Sequence, residues 1–441
     1  MHPPTPPAPL VRTLPNGVRL LAVRLPHLRS ASVGVFLRVG SRDESPESNG
    51  ISHVLEHMAF KGTATRDVQA INLDAERLGA DVNAFTSKDT TGYFMSGLGR
   101  HADAFLEMVA DIVLNSVFPE DELARELEVI RQEAIEYDED PEESASTLLD
   151  RALWGDAPLG MPVIGTVENI ARFTRDDLVA HVRSHYVAGK TIVAAAGDID
   201  PEAFFARAEA LFAGMRTQPA ADGEDAPLPP RPVSGALGRR FGQVSQVFLN
   251  VAWPLGPAQP GELRDPRWRI AASAAAMLFG GGMSAPLTDT VRERLGLAYS
   301  VGSSMEHGAA WNDFLLHATT APDKLEQVLA ATGTLLREHA QAIAPVHLER
   351  AKNQLMVSRV RGLERSYATL ERAVEELFVD GAVAPPQETL SLIESLRADE
   401  VRAVFEGMLA RKPALAIAGR NASAKAARQL AATLQAQSAP A

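Results

Sequence analysis

Three residues in the stretch GISHVLEHMAFKGT have the types and spacing for metal chemistry: His53, Glu56 and His57. On a helix, residues four apart project from one face about one turn apart. Two imidazoles so placed can grip one metal ion, and Glu56 between them is close enough to the same face to reach a water on that ion. The order His-x-x-Glu-His is the inverse of the commoner His-Glu-x-x-His arrangement. With three protein ligands, Zn2+ keeps a fourth position open for water and lowers that water's pKa towards neutrality. A neighbouring carboxylate can then take the proton and later deliver it to a leaving amine.

The chain contains no cysteine, so any metal must be held by His, Asp and Glu, and disulfides and cysteine nucleophiles are excluded. A third ligand has to come from another element. The helical stretch DELARELEVIRQEAIEYDE offers Glu126 and Glu133, seven residues apart and so two turns along one face. Glu133 is expected as the ligand and Glu126 as the acid that orients a ligand or the helix. Acidic helix faces are ordinarily just solvated. Two histidines and a glutamate in an otherwise apolar helix, however, are costly to bury without a purpose.

These residues sit in a chain of 441 residues, long enough for two to four domains. Residues 217–232 (TQPAADGEDAPLPPRP) cannot build a core and read as an extended linker. They divide the chain into 1–216 and 233–441. The halves echo each other: Glu-Arg-Leu-Gly at 76–79 and again at 293–296 each precede a pair of strands, and each half closes on a β-rich run ending in Ala-Gly. Helical periodicity marks 101–114, 120–137, 322–341 and 345–379. The expected fold is α+β: two homologous domains, each a mostly antiparallel sheet packed with helices.

The net charge of −13 argues against nucleic-acid binding. No apolar run reaches membrane-spanning length, and 270–283 reads as a buried helix entering a glycine turn. The opening MHPPTPPAPLVRTLPNG lacks a signal-peptide pattern, so a cytoplasmic location is the expectation. The acidic run from Glu136 to Glu143 either favours basic peptides or is a solvated loop. Gly280, Gly281 and Gly282 are not followed by Gly-Lys-Ser/Thr, so a nucleotide-binding loop is disfavoured and a flexible helix–loop turn fits better.

The stretches LPNGVRLL and VGSRDESPESNGISHVLEHMAFKGT resemble the pitrilysin/insulinase family of zinc peptidases, in its mitochondrial-processing-peptidase-like short-chain branch. The resemblance extends over nearly the whole chain. It places the third zinc ligand 76 residues after His57, at Glu133, with an acid seven residues earlier at Glu126. It implies that Asn83, Ala84 and Phe85 form a substrate-side edge strand, to which a peptide adds through main-chain hydrogen bonds. It further implies that the Gly-rich loop accompanies an Arg–Tyr pair, Arg292 and Tyr299, with Tyr299 donating to the developing oxyanion and Arg292 anchoring a substrate carbonyl. Where family members carry Ser-Arg-Leu after that loop, this chain has Ala285-Pro286-Leu287, so a partner chain's pair is the alternative. Chains of this branch imply a metallo-endopeptidase for unfolded peptides that works in a clamshell made with a second family chain, in a homodimer or heterodimer. The rival from another class is a non-catalytic structural or assembly subunit of such a complex.

Overall fold

The computed structural model describes residues 8–217, 231–255, 265–308 and 310–438. The expected linker, but for its outermost residues, lies outside them. Two compact units emerge. The first comprises Met1–Ile135, Pro162–Asp225 and Arg359–Thr389, and the second Glu136–Met161, Ala226–Ser358 and Leu390–Ala441.

The first unit is built on a six-stranded sheet: β1 (Leu10–Thr13), β2 (Arg19–Arg24), β3 (Ser30–Leu37), β4 (Asp81–Thr86), β5 (Thr91–Leu98) and β6 (Thr191–Gly197). Their order is β1-β2-β6-β3-β5-β4, with β2 and β6 parallel and every other pair antiparallel. Strand β6 reads TIVAAAG and is buried at every position, which is why it lacks apolar–polar alternation. One face of the sheet packs on helices Ala102–Asn115 and Pro201–Phe212 through Phe105, Val109, Phe204 and Phe212. The other face presents Leu21, Val23, Phe36, Ile192 and Ala194 to helix Ser366–Val379, which answers with Leu370, Ala373, Val374 and Leu377.

The second unit holds β7 (Ala236–Arg240), β8 (Val247–Pro254), β9 (Ala298–His307), β10 (Asn312–Thr320) and β11 (Ala414–Gly419), in the order β7-β11-β8-β10-β9. Only β7 and β11 run parallel. Helices Pro266–Gly280, Leu325–Gln341, Ala398–Leu409 and Ala424–Ser438 cover one face. Helix Pro141–Trp154 covers the other through Leu149, Ala152, Leu153 and Trp154. Strand for strand, the second order repeats β2-β6-β3-β5-β4 of the first, including the place of the parallel pair, so the duplicated α+β fold is present.

The compact units do not follow a single cut at 217–232. Strands β1–β6 precede that stretch and β7–β11 follow it, yet helix Pro141–Trp154 belongs to the second unit and helix Ser366–Val379 to the first. Each sheet has a second apolar face that needs a cover. Periodicity reveals that a helix has an apolar stripe but not which sheet it covers. The expected helical span 345–379 is two helices, Pro345–Gly362 and Ser366–Val379. The expected buried helix is Pro266–Gly280, capped by Asp265 and ending at the glycines. Among the described residues no helix is long and apolar enough to cross a membrane.

Candidate metal centre

Helix Ile51–Met58 buries Ile51, Val54, Leu55 and Met58 against Leu123, Ile130 and Ala134 of helix Glu120–Glu139. That packing fixes two consequences. His53, Glu56 and His57 are left on the partly exposed side of the short helix, and Glu126 and Glu133 of the long helix are brought alongside them. The entry to the short helix is held by a buried carboxylate. Glu44, 3% exposed, accepts hydrogen bonds from the Gly50 and Ser52 amides at 2.8 and 2.9 Å and from the Asn49 side chain at 3.1 Å. It thereby satisfies N–H groups that no helix carbonyl can reach and complements the helix dipole. Gly50 stands at φ 100°, and a Cβ there would lie 2.8 Å from the Gly165 Cα.

His53 and His57 have ring centroids 4.7 Å apart. Glu133 reaches both: Oε1 lies 3.9 Å from His53 Nε2 and Oε2 lies 3.5 Å from His57 Nε2. One ligand atom from each of the three residues lies within 4.8 Å of the others. Burial first, and then the neighbouring His57, push the His53 pKa down to about 4, so its imidazole is neutral at pH 7 with a lone pair to offer. Two imidazole nitrogens and one carboxylate oxygen are a zinc donor set that leaves a coordination position open. A tetrahedral zinc with bonds of about 2.0–2.1 Å separates its ligand atoms by about 3.3–3.4 Å, so the residues present fit the ion with small adjustments.

Glu56 is partly buried between this donor set and the end of β4. Burial chiefly raises its pKa, and the Glu133 charge adds to the rise. Hydrogen bonds from the Thr86 side chain and backbone, and the proximity of His57, oppose it without cancelling it. The result is a carboxylate that holds a proton more readily than a solvated one. Nearby, the Tyr93 and Tyr186 hydroxyls hydrogen-bond to each other at 2.8 Å, and burial, with the Glu56 charge adding to it, raises both of their pKa values.

Glu126, 8% exposed, accepts a hydrogen bond from His57 Nδ1 at 3.0 Å and lies 2.6 Å from Lys61 Nζ through its other oxygen. Burial pushes its pKa up, but the bonds from Lys61 and His57 outweigh this and hold it below the usual carboxylate range.

At the edge of the first sheet, β4 carries Asn83, Ala84 and Phe85. Asn83 is exposed, with its side-chain oxygen accepting from the Ala84 amide at 2.9 Å, and Phe85 is half-buried beside Phe36. Ala84 points into the core and offers the edge only its backbone. In the second unit, Arg292 lies on a π-helical turn, Thr288–Arg294, with Glu293 at 3.3 Å and Met283 Sδ at 3.9 Å, and Tyr299 is 76% exposed. Gly280 is the last residue of helix Pro266–Gly280, and Gly281 and Gly282 follow it, where Arg350 donates to the carbonyls of Met277, Leu278 and Gly281. A phosphate cradle needs the N–H groups of a helix N-terminus, so these glycines form a turn and no such cradle. Within the acidic run, Asp138 pairs with Arg239 and Asp140 caps helix Pro141–Trp154. Those two acids have partners within the chain and remain exposed.

Residues 19–167 match the model of the insulinase peptidases (peptidase family M16), and residues 172–355 match the model of the peptidase M16 inactive domain. The chain belongs to the insulinase family. Among insulinase-family relatives, an uncharacterized zinc protease of Rickettsia felis is 31% identical over 394 residues, spanning 89% of this chain and 92% of the relative. An uncharacterized zinc protease of Mycobacterium tuberculosis is 33% identical over 419 residues, 94% of each chain. The crystal structure of a protease from Helicobacter pylori superposes with a TM-score of 0.81 at 20% identity, covering 94% of this chain and all of that one, which shows a shared fold.

Two contacts around these residues were not foreseen from the sequence: Glu44 at the start of the short helix and Lys61 beside Glu126. For Lys61 the only signal was proximity in sequence: it stands four residues beyond His57, just past the helix end, where a cation can reach an acid that faces the same histidine. For Glu44 there was none, because a capping carboxylate supplied by a loop has no fixed spacing from the helix it caps.

Proposed function

We propose that this insulinase-family chain is a zinc metallo-endopeptidase that hydrolyses unfolded peptides, using His53, His57 and Glu133 to hold the metal and Glu56 as general base. The convergence of those three donor groups, with Glu56 beside them, carries the reading. Bound there, zinc supplies a Lewis acid that polarises a scissile carbonyl and makes water acidic. Glu56 takes a proton from the attacking water and returns it to the leaving amine, a task suited to a carboxylate whose proton affinity burial has raised. Glu126 orients His57 through Nδ1. The peptide adds to the open edge of β4 as a further strand, which aligns its carbonyl while tolerating varied side chains. Asn83 reaches its backbone and Phe85 meets a side chain. Arg292 and the exposed Tyr299 bind a substrate carbonyl and the developing oxyanion, in a chamber formed with a second family chain. The pair serving this chain's zinc comes from the chain itself or from that partner.

Glu56→Gln should keep stoichiometric zinc and lower turnover of an unfolded peptide by at least about 10²-fold. Turnover within a few-fold of the parent would contradict the role of Glu56. A parent protein that binds zinc yet cleaves no peptide, alone or with a partner, would instead favour the non-catalytic subunit.

A further inference from the structure

Glu126 is a nearly buried carboxylate with its two oxygens committed in opposite directions. Oε1 accepts a hydrogen bond from His57 Nδ1 at 3.0 Å, and Oε2 meets the Lys61 ammonium at 2.6 Å. The Lys61 side chain is 25% exposed and the Glu126 side chain 11%, so the pair is largely removed from solvent. Among the described residues Glu126 pairs with no other charged group, whereas acids elsewhere on the same helix, such as Glu122 and Glu128, pair with arginines three residues away. Lys61 itself stands just past the end of helix Ile51–Met58, on the same short piece of chain as His57. The result is a closed path: His57 to Glu126 across to the second helix, and Glu126 back to Lys61 in the segment that follows the first.

We propose that Lys61 is a positioning residue of the metal centre: by anchoring Oε2 of Glu126 it aims Oε1 at His57 Nδ1, fixing the imidazole tautomer that leaves Nε2 free for the metal. The inference rests on the zinc-site reading above and deepens it. A carboxylate that orients a ligating histidine needs an orientation of its own, and partners at this remove from a metal commonly alter its affinity by 10- to 100-fold. Without Lys61, one oxygen of a buried carboxylate is left unpaired, and the carboxyl turns to seek solvent or another donor. His57 then loses the acceptor that selects its Nδ1–H tautomer. Lysine suits the place because its ammonium is compact and sits on a flexible stem, and arginine can substitute if only a cationic donor is required.

The test is zinc affinity of the full-length protein, measured by chelator competition for the parent, Lys61→Met, Lys61→Arg, Glu126→Gln and the Lys61→Met/Glu126→Gln double variant. The thermal midpoint of each metal-free protein is read alongside. The expectation is a loss of at least about tenfold for Lys61→Met, recovery of most of it by Lys61→Arg, and a double variant no weaker than Glu126→Gln alone, since Lys61 acts through that residue. Metal-free midpoints should stay close to the parent's. Parent-like zinc binding in Lys61→Met would overturn the proposal, as would losses that simply add in the double variant. Weakened binding that only mirrors a lowered metal-free midpoint would also overturn it, by showing a general structural role. Failure of the parent to bind zinc would overturn the metal-centre reading beneath it, a result distinct from all of these.

Discussion

His53 is held in a place that refuses its proton. In the folded, metal-free chain its pKa falls from 6.5 to about 4, because burial penalises the imidazolium and His57 stands next to it. The unfolded chain accepts that proton at the ordinary pH. Stability is therefore complete above pH 6.5 and declines as pH falls towards about 4, where the folded imidazole protonates too. The loss is on the order of 3 kcal/mol for this one residue. His181, pushed to about 3 by burial, then His185 and Lys190, adds to the same acid slope. Urea denaturation of the metal-free protein between pH 7 and 4 should show a steeper decline than the same series for His53→Gln, and identical slopes would contradict the burial argument. At this scale the sequence was unusually legible. His53, Glu56 and His57 announce themselves by spacing, because a helix converts sequence distance into a face. Glu133 and Glu126 share a helix face by the same rule, but it was the 76-residue interval from His57 implied by the family resemblance that set them apart from the helix's other carboxylates. Lys61 and Glu44 were not read, since one acts through another side chain and the other through backbone amides.

Among the elements, helix Ile51–Met58 is too short to be stable by itself and depends on what holds its ends. Its start is set by Glu44 and by Gly50, packed against Gly165 in a conformation that side chains rarely adopt. Gly50→Ala should therefore destabilise the first unit by about 1–3 kcal/mol in chemical denaturation and weaken zinc binding with it. Unchanged stability would show that the helix start tolerates a different backbone path. The strands were mostly visible as alternating or apolar runs and the helices as stripes. What sequence pattern did not disclose was which helix covers which sheet. Leu149 and Leu153, or Leu370 and Leu377, show an apolar face but not its partner. The exchange of helices Pro141–Trp154 and Ser366–Val379 between units followed only from packing.

In the whole molecule, one strand order is used twice with different outcomes. After β3 comes the helix bearing His53, Glu56 and His57, whereas after β8 comes Pro266–Gly280, whose buried side is largely alanine. Among the described residues, His53, His57 and Glu133 are the one group of acids and histidines close enough to share an ion. This agrees with the match of residues 172–355 to the family's inactive domain. The repeat was legible because the Glu-Arg-Leu-Gly echoes lie before matching strand pairs, and so was its asymmetry, because no second His-x-x-Glu-His exists. The most direct measurement is anomalous diffraction at the zinc edge from crystals of the zinc-loaded protein. The account predicts one strong peak per chain, within bonding distance of His53 Nε2, His57 Nε2 and a Glu133 carboxylate oxygen. A map with no peak there, or with the ion bound while Glu133 points away, would contradict it.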